Sequence, residues 1–114
     1  MRRGEVRLVD LDPAFGSEAN KRRPAVVVGN DRANAAARLG RGVVTVVPVT
    51  SNVAHVFGFQ VLLPAASAGL RVDSKAQAEQ VRPVSVERLG PVLGHVPPRL
   101  MVAIDDALRL HLAL

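Results

Sequence analysis

Apolar positions recur along this chain in short runs bounded by Gly, Pro, Asn and Asp, and only its last stretch keeps a helical period. Val6, Leu8 and Leu11, with charges between them, predict a first strand over Glu5–Leu11, broken by Asp12-Pro13. Residues 14–23 are polar and contain Gly16. They read as a loop of about ten residues, longer than ordinary hairpin connections. Pro24–Val28 is a second strand, apolar on both faces, with proline tolerated at its first position. Asn30 or Asp31 caps a short helix through Leu39, stopped by Gly40. Val43–Val47 is a third, buried strand that runs on into Pro48-Val49-Thr50-Ser51. A loop over Asn52–Val56 leads to a fourth strand at Phe59–Leu63, and residues 64–74 read as irregular. From Lys75 to Val81, Ala76 and Ala78 alternate with Lys75, Gln77 and Glu79, which predicts a half-exposed strand. Ser85 caps one helical turn ended by Gly90, and Val92–Val96 is a last short strand. Pro97-Pro98 opens an amphipathic helix. Its apolar face carries Leu100, Met101, Ile104, Leu108, His111 and Leu112, with Arg99, Asp105, Asp106 and Arg109 pointing largely away.

Five or six short strands joined by hairpin-like or irregular loops predict a mainly β fold with helices. The expected form is a small, strongly bent antiparallel sheet or partly open barrel with the C-terminal helix packed on it. With 114 residues, 48% of them apolar, the chain is expected to form one domain over 1–114. It has no cysteine, which excludes disulfides, thiolate metal sites and a cysteine nucleophile. Met1-Arg2-Arg3 is not followed by an apolar signal segment, and no apolar run approaches the ~20 residues of a membrane span. A soluble cytoplasmic protein with no membrane partner is expected.

The net charge is +5, and 13 of the 15 basic residues are arginine. Residues 1–41 hold nine basic and five acidic residues, whereas 42–114 hold six and five. The positive potential is therefore loaded on the first third. Arginine grips phosphate with a planar fork, so an anionic partner is one reading; an arginine-rich but merely solvated surface is the other.

Three segments narrow the choice. Arg3-Gly4-Glu5-Val6 is followed by Val9-Asp10-Leu11-Asp12-Pro13 and Gly16-Ser17-Glu18; then come Arg23-Pro24-Ala25-Val26-Val27-Val28 and Val47-Pro48-Val49-Thr50-Ser51. In this order and spacing the chain resembles the MazF/PemK toxins of bacterial toxin–antitoxin pairs, weakly through Gln80-Val81-Arg82 and the last helix as well. The resemblance implies an SH3-like, CcdB/PemK-type partly open barrel and a homodimer. It implies sequence-selective, metal-independent cleavage of single-stranded RNA to 2′,3′-cyclic phosphate and 5′-hydroxyl ends. It makes Arg23 and Thr50 the catalytic pair, and it implies a MazE-like antitoxin whose acidic C-terminal segment covers the RNA groove. No cofactor or metal is implied.

That chemistry suits the residues. The nucleophile is the RNA's own 2′-hydroxyl, already tethered to the phosphorus. Arg23 can stabilise charge growing on the phosphoryl oxygens and donate towards the leaving oxygen, while its pKa makes it a poor base. Thr50 can donate a hydrogen bond from a stiff β-branched side chain. Each also has an ordinary reading, as a solvated loop arginine and a strand-forming threonine. Lys21 and Arg22 are candidates for the RNA backbone, with Ser51 beside Thr50. Glu18 is a candidate proton acceptor or antitoxin contact, Gln80 a candidate groove residue, and His55 a candidate acid or base. His95 and His111 read as structural. Aromatic stacking platforms are scarce, with only Phe15, Phe57 and Phe59.

Two other functions fit the same fold class. A CcdB-like gyrase poison would act through a C-terminal tryptophan, which Arg109–Leu114 lacks. A non-catalytic RNA-binding module would share the basic loop and cut nothing.

Overall fold

The valine runs of the sequence become the two central strands of the sheet because both of their faces are covered. The computed structural model describes residues 1–13, 15–19, 21–39 and 42–114. The strands are β1 (Glu5–Asp10), β2 (Arg22–Val27), β3 (Val43–Thr50), β4 (Gln60–Leu63), β5 (Ser74–Gln77), β6 (Arg82–Ser85) and β7 (Leu89–His95). The helices are α1 (Asp31–Arg38), α2 (Ala65–Ala68) and α3 (Pro98–Leu112), with 3-10 turns at Ala78–Gln80 and Val86–Arg88. The strands form one open antiparallel sheet in the order β4-β5-β3-β2-β1-β7, and β6 pairs with β3. The expected mainly β architecture with a packed C-terminal helix is therefore present.

Alternation along β2 and β3 feeds two cores. Val26, Val28, Val47 and Val49 join Ile104, Met101 and Leu63 on one side, under α3. Ala25, Val27, Val44 and Val46 join Ala37 of α1 and Val84 on the other. Burial on both faces is why these strands are continuously apolar and not alternating. Each fully buried valine or isoleucine contributes roughly 1.5–3 kcal/mol relative to exposure. Pro48 sits within β3 where its outer edge passes from β6, last paired at Val46, to β5, first paired at Val49. A residue without an N–H is least costly at such a break in the ladder.

Asn30 caps α1, its side chain accepting from the Ala33 N–H at 2.8 Å. The expected stop at Gly40 lies outside the described residues. Four other expectations are corrected. First, β2 starts at Arg22, two residues earlier than predicted, because Arg22 and Arg23 continue the ladder with Asp10 and Val9. Second, the stretch 64–74 contains α2 and the start of β5. Third, β5 is buried, not half-exposed, and gives way at Ala78 to a 3-10 turn; Lys75 is only 7% exposed because its ammonium reaches the His55 carbonyl oxygen. Fourth, Asp105 does not point away: it is half-buried in an ion pair with Arg3. The last turn of α3 overhangs the core, leaving Leu110, His111 and Leu112 exposed, with the His111 ring centroid 6.4 Å from that of Phe59.

Candidate active site

The register that aligns the central strands also brings Arg23 to Thr50. β2 and β3 pair Val26 with Val47 and Ala25 with Pro48. Carried two residues further, the same register sets Arg23 against Thr50, the last residue of β3. Both side chains are half-buried, and an Arg23 guanidinium N–H donates to the Thr50 hydroxyl oxygen at 3.5 Å. The Asn52 backbone N–H donates to the same oxygen at 3.3 Å, closing a turn that the Asn52 side chain continues by accepting from Ala54 N–H. Both lone pairs of the Thr50 oxygen are thus engaged, so its own hydrogen is left to donate outward.

The approach to Arg23 is fixed by strain that the surroundings hold. Lys21 adopts a left-handed backbone, φ +64, uncommon for a residue with a side chain. Its N–H donates to the Asp12 carboxylate at 2.8 Å, and its carbonyl accepts from Leu11 N–H at 2.9 Å. Gln80 pins the preceding loop, accepting from Ala19 N–H and donating to the Ser17 carbonyl, each at 3.0 Å. Arg82 and Arg88 brace its base through the carbonyls of Leu11, Asp10 and Asp12.

Arg23 and Thr50 line a cleft of about 610 Å³ together with Lys21, Arg22, Ser51 and Arg71. Leu8, Pro24, Val49 and Leu93 also line it, and among the described residues no carboxylate or imidazole does. The result is an apolar surface rimmed by four cations. Among the described residues, no group of three or more acidic or histidine side chains could hold a metal ion.

A profile described as the PemK-like, MazF-like toxin of type II toxin-antitoxin systems matches residues 2–112. The chain belongs to this family. The Mycobacterium tuberculosis protein named endoribonuclease MazF9 is 64% identical to the toxin, over all of this chain and 98% of that protein. Bacillus subtilis endoribonuclease EndoA is 31% identical over all of this chain and 96% of its own. The crystal structure of MazF from Deinococcus radiodurans superposes with a TM-score of 0.84, at 25% identity, covering 100% of the toxin and 97% of that chain.

The toxin's fold brings together Arg23, Thr50, Ser51, Lys21 and Arg22. It does not bring Glu18, Gln80 or His55 into the cleft. Glu18 lies exposed on the loop, and its backbone N–H bonds the Phe15 carbonyl. The Gln80 amide is spent on that loop. The His55 ring packs on Phe57, centroids 4.2 Å apart, in a row that continues through Phe59. Arg71 was hidden in a stretch read as irregular; the only signal was a lone arginine between the chain breakers Gly69 and Asp73.

Proposed function

We propose that this toxin, an endoribonuclease like the curated relatives that match its full length, cuts single-stranded RNA in the Arg23–Thr50 cleft by attack of the RNA's own 2′-oxygen. The bond from the 2′-oxygen to phosphorus forms as the bond to the 5′-oxygen breaks, leaving a 2′,3′-cyclic phosphate and a 5′-hydroxyl. The observation that carries this reading is the Arg23 guanidinium 3.5 Å from the Thr50 hydroxyl, on the wall of a cleft rimmed by cations. Arg23 stabilises the negative charge that grows on the non-bridging oxygens and donates a hydrogen bond to the departing 5′-oxygen. The free hydrogen of Thr50 points to a further phosphoryl oxygen. Among the described residues no carboxylate or imidazole lines the cleft, and in this reading the 2′-hydroxyl proton passes to water. No step needs a divalent ion, since tethering supplies the nucleophile and arginine supplies the charge. The apolar side chains of Leu8, Pro24, Val49 and Leu93 give a base a surface to rest on, which supports selectivity among RNA sequences.

In the same reading the toxin acts in the cytoplasm on mRNA, tRNA or rRNA and thereby arrests translation and growth. It pairs with a MazE-like antitoxin whose acidic segment competes for the same cations. A homodimer is supported by Leu110, Leu112 and Leu114 at the end of the chain, which are 62%, 50% and 85% exposed. No helix among the described residues is long and apolar enough to cross a membrane.

The test is incubation of the purified toxin with a structureless RNA in EDTA, with both new ends mapped. Cleavage to cyclic phosphate and 5′-hydroxyl ends is expected. Intact RNA with blocked gyrase supercoiling would replace this reading with the poison, and intact RNA that is retarded on a gel would replace it with the binding module.

A further inference from the structure

The segment between α2 and β5 is built to carry one arginine into the cleft. α2 packs against β7, whereas Ser74 begins β5, which lies beyond β3 in the sheet. Residues 69–73 must therefore cross over β1, β2 and β3, and Gly69, Leu70, Arg71 and Val72 line the same cleft as Arg23 and Thr50. The crossing is held along its length. Gly69 ends α2 in a left-handed conformation, φ +71, and Leu70 N–H donates to the Ala65 carbonyl at 3.1 Å. Ala65 N–H donates to the Asp73 carboxylate at 2.9 Å, and the Ser74 hydroxyl donates to the Val72 carbonyl at 3.0 Å.

On this braced segment Arg71 is exposed, and among the described residues it makes no hydrogen bond or ion pair. Lys21, Arg22 and Arg23 share its cleft, and among the described residues no acidic one lines it. Four like charges around one concavity repel each other and focus a positive potential that a polyanion relieves. Arg23 and Thr50 already address one phosphate from the strand ends, and Arg71 reaches the cleft from a separate element.

We propose that Arg71 binds the phosphodiester next to the scissile one and sets the register of the RNA strand in the cleft. The inference rests on the cleavage reading above. A flanking phosphate keeps its charge and position throughout the reaction, so its contact favours ground state and transition state alike. Loss of the contact therefore raises KM and spares kcat. This separates Arg71 from Arg23, whose loss lowers kcat.

The test compares wild type, Arg71→Gln and Arg71→Lys on a short single-stranded RNA, alongside variants of that RNA with one neutral methylphosphonate at each position flanking the cut. Arg71→Gln is expected to raise KM about tenfold, the scale of one hydrogen bond to a charged group, with kcat within about twofold. Arg71→Lys should recover part of the loss. The slope of log binding constant against log salt should fall by about 0.7, the value for one phosphate contact to a single strand. One methylphosphonate should raise the wild-type KM similarly and leave Arg71→Gln unaffected. Binding of an RNA blocked by 2′-O-methylation at the cut gives the same comparison without turnover. Unchanged KM and salt slope in Arg71→Gln overturn the proposal while cleavage by the wild type stands. So does a fall confined to kcat, or a defect seen only in antitoxin binding. A wild type that leaves RNA intact overturns the cleavage reading and this one together.

Discussion

The ammonium of Lys75 donates to the backbone carbonyl oxygen of His55, and it does so from a residue only 7% exposed. Among the described residues no carboxylate pairs with it; the Phe57 ring lies 6.0 Å away. Thr50 is its cross-strand neighbour. This contact fastens the 51–59 loop to β5 directly after Thr50.

Lys75→Met keeps most of the volume and removes the charge. The cost of desolvating the ammonium offsets much of what its hydrogen bond contributes, and His55 is exposed, so water can replace that bond; global stability should change by no more than about 1 kcal/mol. The loop loses its tether, however. Hydrogen exchange should show amides of residues 54–57 losing protection while those of β2 and β3 keep theirs. Unchanged protection in the loop would mean that the aromatic row alone holds it.

Arg23→Ala and Thr50→Ala should each lower RNA cleavage by at least ~100-fold, the scale for losing one transition-state donor, with circular dichroism unchanged. Because the two groups share a hydrogen bond, their losses should not add. The double variant should be little worse than the poorer single one. Full additivity, read from single-turnover rates, would mean that they act on separate steps.

Gly69 answers to backbone geometry more than to chemistry. Its φ is +71, and a Cβ there would lie 2.6 Å from the Leu93 carbonyl oxygen. Gly69→Ala should cost more than about 1 kcal/mol, since the left-handed conformation alone carries roughly that penalty. It should also shift the segment bearing Arg71. Urea unfolding measures the first effect, and affinity for single-stranded RNA measures the second. A variant as stable as wild type would show that α2 can move away from β7 freely.

The parts of this fold that were legible in the sequence are those where one physical requirement dominates. Valine runs announced β2 and β3 because both faces are buried, and the period of Met101, Ile104 and Leu108 announced α3. Arg23 lay within a strand and not at a loop end, because strand pairing tolerates charged residues that no apolar pattern reveals. β6 was missed for the same reason: Arg82 and Pro83 hide it, and Pro83 is exposed. β5 was misjudged because Lys75 reads as solvent-facing until a carbonyl 20 residues away is known to meet it. At the site, the order of motifs pointed to Arg23 and Thr50. It could not say that Gln80 serves the loop, that His55 lies outside the cleft, or that Arg71 lies inside, since those depend on how chain crossings fold in space.

Acid stability should reveal the N-terminal anchor. The Asp31 carboxyl is held below its ordinary value of 3.8. The largest cause is the Arg3 backbone N–H, which donates to it at 2.6 Å; the Asn34 side chain and the charges of Arg2 and Arg3 act in the same direction, and desolvation opposes them. A carboxyl whose pKa is lowered by folding favours the native state when ionised. Its contribution is full above the unfolded-state value near 3.8 and is lost as pH falls through the lower folded-state value. Asp31→Asn keeps an acceptor oxygen and removes the charge. The stability difference between wild type and Asp31→Asn, measured by chemical unfolding from pH 6 down to pH 2, should be constant down to about pH 5 and shrink below that. A difference that stays constant to the lowest pH would show that Arg3 answers to the oxygen and not to its charge.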